Sequence, residues 1–252
     1  RVPMVSDRFA DAAPLSAALW PLAPGTVHPP RLAEPLADLR VRLDEIDGDL
    51  IRLFVKDAPQ VDQSTDTTLR LIAEELAKAY SVHGAATHLL GTEPWDFAAV
   101  YWRTPDILSH HFMPFHPPAV AGCDPVKAAL YGDVVNSIYR MFDLMLPAYE
   151  ALAGPDTNLV IVSDHGFQSG AQRPPFAENP FEQPELWHRH QGMLILHGPA
   201  FRRGETVQGA GLLDIVPTLL AVAELPVARD LSGRVLTEAL VQPPRLEPID
   251  SW

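Results

Sequence analysis

Asn158-Leu-Val-Ile-Val-Ser-Asp-His-Gly-Phe167 is the stretch on which the fold turns. Leu159, Val160, Ile161 and Val162 form an unbroken apolar, β-branched run, the pattern of a strand buried on both faces of a parallel sheet. A carboxylate, an imidazole and a glycine follow where that strand must end. In open α/β sheets the carboxyl ends of the strands form the crevice that holds ligands. Buried strands also normally expel charge. Asp164 and His165 therefore read as a metal-ligand pair, the bland alternative being an Asp that caps a helix beside a surface His.

Two further sets of the same residue types follow apolar runs. Asp96-Phe-Ala-Ala-Val-Tyr-Trp102 reads as a second strand, running into Arg103-Thr-Pro-Asp-Ile-Leu-Ser-His110. Asp106 and His110 are four residues apart, which on a helical turn puts both side chains on one face. The competing reading has Asp106 capping a short helix after Pro105, with His110 and His111 in solvent. Trp187-His-Arg-His190 precedes a third apolar run, Gly192-Met-Leu-Ile-Leu-His197. Three Asp/His sets beside three candidate strands are hard to assign to independent coincidences.

Composition bounds what these sets can serve. The chain has 252 residues, enough for one α/β domain, and 47% hydrophobic with 20% charged residues is a globular balance. A net charge of -13 argues against a nucleic-acid partner, because a phosphate backbone demands Lys and Arg. A phosphate-bearing substrate would then have to be attracted locally, by bound cations. The single cysteine, Cys123, excludes an internal disulfide and a thiolate-rich zinc finger. No apolar run approaches the roughly 18 residues of a membrane span.

Helical patterns separate the strand candidates. From Asp66 to about Leu90, Leu69, Ile72, Leu76, Ala79 and Tyr80 share one face, with Asp66 or Thr67 as N-cap and Gly91 as the expected stop. Asp124-Pro125 starts a second helix, on which Val126, Leu130, Val134, Ile138, Phe142, Met145 and Tyr149 recur down to Gly154-Pro155. Pro147 should kink or interrupt its last turns. A Pro-rich loop covers residues 168–185, and Asp214-Ile-Val-Pro-Thr218 opens a third helix with Asp214 as a structural cap. Residues 1–35 read as loops and turns. Strands joined by long helices imply a mainly parallel sheet flanked by helices on both faces. Of the remaining histidines, His83 and His88 lie about 140° apart around their helix and cannot share a metal. His28 and His116 precede prolines in loops, and His197 reads as a partly buried strand-end residue. Arg202 and Arg203 could touch substrate, although a solvated loop explains them too.

Asp and neutral His suit Zn²⁺, and also Mn²⁺ or Fe²⁺. Asp106, His110, Asp164, His165 and His188 are five candidates, too many for one tetrahedral centre and suggestive of two. Paired divalent ions clamp the attacking and leaving oxygens of an in-line phosphoryl transfer.

Val-Ser-Asp-His-Gly-Phe167, the Asp106-to-His110 spacing, His188-Arg189 before Gly192, and Leu213-Asp-Ile-Val-Pro-Thr218 occur in an order that resembles the alkaline phosphatase superfamily, in its type I phosphodiesterase/nucleotide pyrophosphatase branch. The tail Leu225-Pro-Val-Ala-Arg-Asp-Leu-Ser-Gly-Arg-Val-Leu236 looks like that branch's closing segment. The resemblance implies that Asp106, His110 and a later histidine hold one metal, with His188 the choice and His190 the alternative. It implies a second metal on Asp164 and His165, completed by an aspartate and a Thr or Ser nucleophile from a first strand. Nothing between Arg1 and Asp96 matches that strand. Residues 1–252 are thus expected to be the C-terminal part of a single catalytic domain, incomplete at the N-terminus, with residues 1–65 a Pro-rich irregular segment packed on it. The expected activity is hydrolysis of a small phosphate ester, negligible in these residues alone, with association through an exposed sheet edge. The competing readings are a sulfatase or phosphoglycerate-mutase relative, and a non-catalytic module that binds phosphorylated ligands.

Overall fold

The computed structural model describes residues 3–10, 22–179, 181–242 and 247–252. The chain divides into two compact units. Unit 1 comprises Arg1–Leu152 and Phe167–His188; unit 2 comprises Ala153–Gly166 and Arg189–Trp252.

Unit 1 begins with strands β1 (Met4–Val5) and β2 (Val27–His28), which pair antiparallel, and the short helices α1 (Ala33–Ala37) and α2 (Gly48–Arg52). Its spine is α3 (Thr68–Thr92), on which Leu69, Ile72, Leu76 and Ala79 are buried, as their spacing requires. The Asp66 carboxylate accepts from the Thr68 amide at 2.9 Å and so starts the helix, while Thr67 offers no side-chain cap. The helix runs through Gly91 instead of stopping there. The Trp95 indole donates to the Leu90 carbonyl at 3.1 Å and the Glu93 amide to Leu89, so the last carbonyls find partners without a left-handed glycine. Pro94 then bars continuation.

The single long helix expected after Asp124 is two. Asp124 does cap, accepting from Val126 at 2.8 Å, but α5 (Pro125–Tyr131) breaks at Gly132-Asp133 before α6 (Val134–Ala153) begins. A Cβ on Gly132 would lie 2.8 Å from the Ala128 carbonyl oxygen. Asp133 restarts the helix: its carbonyl takes the Ser137 amide, and its carboxylate binds Asn136 at 2.9 Å and Arg140 at 2.8 Å. Pro147 is accommodated inside α6. Ile72, Leu76, Leu108, Tyr131, Val134 and Ile138 meet in the main core of the unit. Each contributes on the order of 1.5–3 kcal/mol by burial. A smaller cluster of Phe9, Leu32, Leu36 and Ala85 fastens the N-terminal elements to α3.

Residues 96–102 do not form the expected strand. Phe97 and Tyr101 are 67% and 73% exposed, and only Trp102 packs, edge-on to Phe142 with ring centres 4.9 Å apart. A strand needs a neighbour to take its backbone hydrogen bonds, and none of the described strands pairs with this segment. It passes instead into α4 (Thr104–Phe112).

In unit 2, β3 (Leu159–Val162) is the strand read from sequence. Its neighbour is β6 (Leu194–His197), and the ladder is antiparallel, with Leu159 opposite His197 and Val162 opposite Leu194. The expected parallel sheet is therefore not found: the described sheets are two-stranded, and the two whose register is defined are antiparallel. A parallel return needs a crossover, usually a helix. The described residues between 163 and 193 hold only 3₁₀ turns and the two-residue strands β4 (Gly166–Phe167) and β5 (His188–Arg189). His197, expected to be partly buried, is exposed. Asp214 precedes α7 (Ile215–Val222) but makes no cap bond to it. Its buried carboxylate accepts instead from the amides of Arg234 at 2.8 Å and Gly211 at 2.9 Å, which hold it below the usual carboxylate range. It is structural, as read, but ties two loops together where a helix cap was expected.

Candidate metal centre

Helix α4 carries two of the predicted ligands on one face. The buried Thr104 hydroxyl donates to the Glu75 carbonyl at 3.3 Å and fastens the start of the helix to α3. Pro105 supplies a preset first turn, and Leu108 and Phe112 bury the opposite side. Asp106 lies in the first turn, where the helix dipole favours an anion. His110 follows one turn later and is only 2% exposed. The third ligand arrives from the far end of the unit. Gln168 holds that end: its amide donates to the Trp187 carbonyl at 2.8 Å and its side chain to the His188 carbonyl at 3.2 Å.

Three donor atoms converge. His188 Nε2 lies 2.9 Å from His110 Nε2 and 3.8 Å from Asp106 Oδ1, and His110 Nε2 lies 3.5 Å from the same oxygen. A triangle with sides of 2.9, 3.5 and 3.8 Å has a circumradius of about 2.0 Å. Zinc binds imidazole nitrogen at about 2.0–2.1 Å and carboxylate oxygen at about 2.0–2.2 Å, so the donors fit a small divalent ion without rearrangement. On its other side, His110 Nδ1 is buried with no hydrogen-bond partner among the described residues. The His110 ring is walled by Phe167, edge-on at 4.9 Å, and by Phe181 at 5.0 Å. Neighbouring His111 packs on Phe181 at 5.2 Å, and burial, then the nearby His110, hold its imidazole below the ordinary value. Apolar walls lower the local dielectric and strengthen any charge interaction they enclose.

Asp164 and His165 belong to unit 2. The Asp164 carboxylate is exposed and accepts from the His165 amide at 3.1 Å. His165 Nδ1 lies 3.2 Å from the Gly166 carbonyl. A carbonyl only accepts, so Nδ1 is the donor in this contact. Among the described residues of unit 2, no third His, Cys, Asp or Glu joins this pair in a ligand cluster. Asp164 also lines a cavity of about 540 Å³ whose wall includes Val162, Leu194, Leu196 and His190. It is thus His188, and not His190, that stands with Asp106 and His110.

Sequence reasoning missed the residues that surround the cluster. Phe167 closes the quoted motif and was given no role, and Phe181 sits unmarked in the Pro-rich loop. Arg173 had one available signal: it is the only Lys or Arg between Arg140 and Arg189. Arg202 is a tether, its Nε donating to the Leu240 carbonyl at 2.7 Å.

One carboxylate and two imidazoles, carried by a helix and a loop and walled by aromatic rings, form a candidate metal-ligand set. The family model described as type I phosphodiesterase / nucleotide pyrophosphatase matches residues 9–217. The chain belongs to that family, a branch of the alkaline phosphatase superfamily whose members are metal-dependent phosphoric ester hydrolases. Neither the curated proteins nor the solved structures yield a match to the chain. Among the described residues, no helix is long and apolar enough to cross a membrane.

Proposed function

We propose that residues 1–252 are the C-terminal part of a single alkaline-phosphatase-like domain that hydrolyses phosphodiester or pyrophosphate bonds at two divalent ions, zinc foremost. Asp106, His110 and His188 hold one ion; Asp164 and His165 contribute to the other. The Thr or Ser nucleophile and the remaining aspartate lie upstream, on strands that complete a mainly parallel sheet with β3. The observation that supports this reading is the Asp106–His110–His188 triangle, sized for a small cation and reached from a family match that is itself phosphoesterase in kind.

The ions would supply Lewis-acid polarisation of the phosphoryl oxygens and stabilise the attacking and leaving oxygens. The chain's own residues orient and shield. Asp106 contributes the negative donor, so an ion held there keeps net positive charge for a phosphate. That matters on a chain of net charge -13, which would otherwise repel its substrate. Phe167 and Phe181 exclude water from the His110 side.

The test compares the 252-residue chain with one extended upstream, by metal content and by hydrolysis of a chromogenic phosphodiester. The shorter chain should retain at most one tight ion and turn over negligibly; the longer should gain a second ion and activity. Robust hydrolysis by the 252 residues alone, or failure of the longer chain to retain any divalent ion, would overturn the proposal.

A further inference from the structure

Arg173 sits in the loop that joins β4 to β5, the loop that also carries Phe181 and leads to His188. Its guanidinium donates Nη1 to the carbonyls of Met113 at 2.8 Å and His116 at 2.7 Å, and Nη2 to the Pro118 carbonyl. Its Nε returns to Gly170 of its own loop at 3.1 Å. Met113 is the C-cap of α4, the helix that bears Asp106 and His110. One side chain therefore grips four carbonyls, three of them on the segment that leaves the end of α4. A cation there also complements the negative end of the helix dipole. No acidic side chain forms an ion pair with Arg173 among the described residues, so its bonds are spent on backbone position.

We propose that Arg173 is a positioning residue for the Asp106–His110–His188 site: it locks the His188-bearing loop to the end of α4. The inference rests on the metal reading above for its function, though not for its geometry. Two of the three donors ride on α4 and the third ends the loop, and a covalent path of 78 residues separates His110 from His188. Their 2.9 Å approach thus depends on non-covalent ties between loop and helix. Arg173 supplies such a tie, and Gln168 fixes the His188 backbone at the loop's other end. A lysine could not replace it, because an ammonium is a point donor without the planar fork that reaches several carbonyls at once.

The experiment uses the full 252-residue chain as wild type, Arg173→Met, Arg173→Lys and, as control, Arg31→Met. Arg31 makes an equally bidentate pair with Glu93 at 2.7 and 2.6 Å but touches neither α4 nor the loop. Zinc affinity is measured by chelator competition, and site geometry by the visible absorption of the cobalt(II) form. In metal-free protein, the ring resonances of His110 and His188 are followed by NMR. Arg173→Met should weaken zinc binding by about 10–100-fold, the range for outer partners of metal ligands. It should also shift the cobalt bands and move both histidine resonances. Arg173→Lys should fall between, and Arg31→Met should match wild type. Zinc affinity within about threefold of wild type in Arg173→Met, with unchanged cobalt bands, overturns the proposal; should that variant not fold, Arg173→Lys is held to the same criterion. A wild-type chain that takes no zinc refutes the metal reading instead. The metal-free resonances then decide Arg173 by themselves, and unmoved signals count against it.

Discussion

Tyr131→Phe removes one oxygen from the centre of unit 1. The phenol is fully buried, and its hydroxyl donates at 2.9 Å to Asp66 Oδ2, the carboxylate that starts α3. Hydrogen bonds to charged partners contribute about 1.5–3 kcal/mol, and the ring itself is retained, so no large cavity adds to the cost. Asp66 keeps its bond to the Thr68 amide and is partly open to water, which points to the lower end, about 1.5 kcal/mol. For a unit of 150–250 residues that is a fall in melting temperature of roughly 3–6 °C. The effect should depend on pH. Burial pushes the Asp66 carboxyl up, but bonds from Thr68 and Tyr131 outweigh it and the net shift is downward. A depressed carboxyl stabilises the fold above its unfolded value of about 3.9 and loses that contribution as pH falls through the folded value. The gap between wild type and Tyr131→Phe should be full at pH 7 and shrink below about pH 4. Urea melts at both pH values read it. A gap under about 0.5 kcal/mol at pH 7, or one that does not shrink in acid, would refute the reasoning.

Two further outcomes follow from the site and its surroundings. Zinc at about a hundred times its dissociation constant should stabilise the wild-type chain by about 2.7 kcal/mol; His188→Ala should abolish this in thermal melts while His190→Ala leaves it intact, and the reverse pattern would move the ligand to His190. His83, in contact with Tyr149 at 3.1 Å, has its imidazole held low by burial, so the unfolded chain binds the proton more readily. Stability should therefore be full above about pH 6.5 and decline as pH falls through that value, and His83→Gln should flatten this slope in urea melts between pH 7.5 and 5.5.

The residues legible in sequence were those whose signal is local. The α3 face and the Asp124 cap depend on spacing within one element and stand as read; the β3 run is a strand, but it is half-buried and antiparallel where a buried parallel strand was expected. Asp106 and His110 were legible for the same reason, being one helical turn apart. What failed required knowing a partner. Residues 96–102 carry strand-like residues, yet a strand exists only beside another. A side chain at position 132 would crowd the carbonyls of Ala128 and Phe115, a contact no periodicity encodes. The direction of β6 beside β3 is set by the path of residues 163–193, among whose described residues there is no crossover helix. Arg173 is isolated among uncharged and acidic residues in sequence, but the carbonyls it binds are not marked there.

Unit 1 is written in two pieces, and its ligand cluster draws on both. Asp106 and His110 belong to the first piece and His188 is the last residue of the second, with the first strand of unit 2 spelled out between them. During synthesis α4 is complete long before its third donor leaves the ribosome, so the cluster is among the last features of the unit to close. An ion that bridged His110 and His188 would act as a clasp on a 78-residue loop. Because the ion would be held by the folded cluster and released on unfolding, such a clasp stabilises unit 1 by mass action, by an amount that rises with free metal, in contrast to a disulfide, which also constrains the unfolded chain. Metal supply would then add to the tie that Arg173 already makes between the two pieces of unit 1, as well as decide whether the site is chemically equipped.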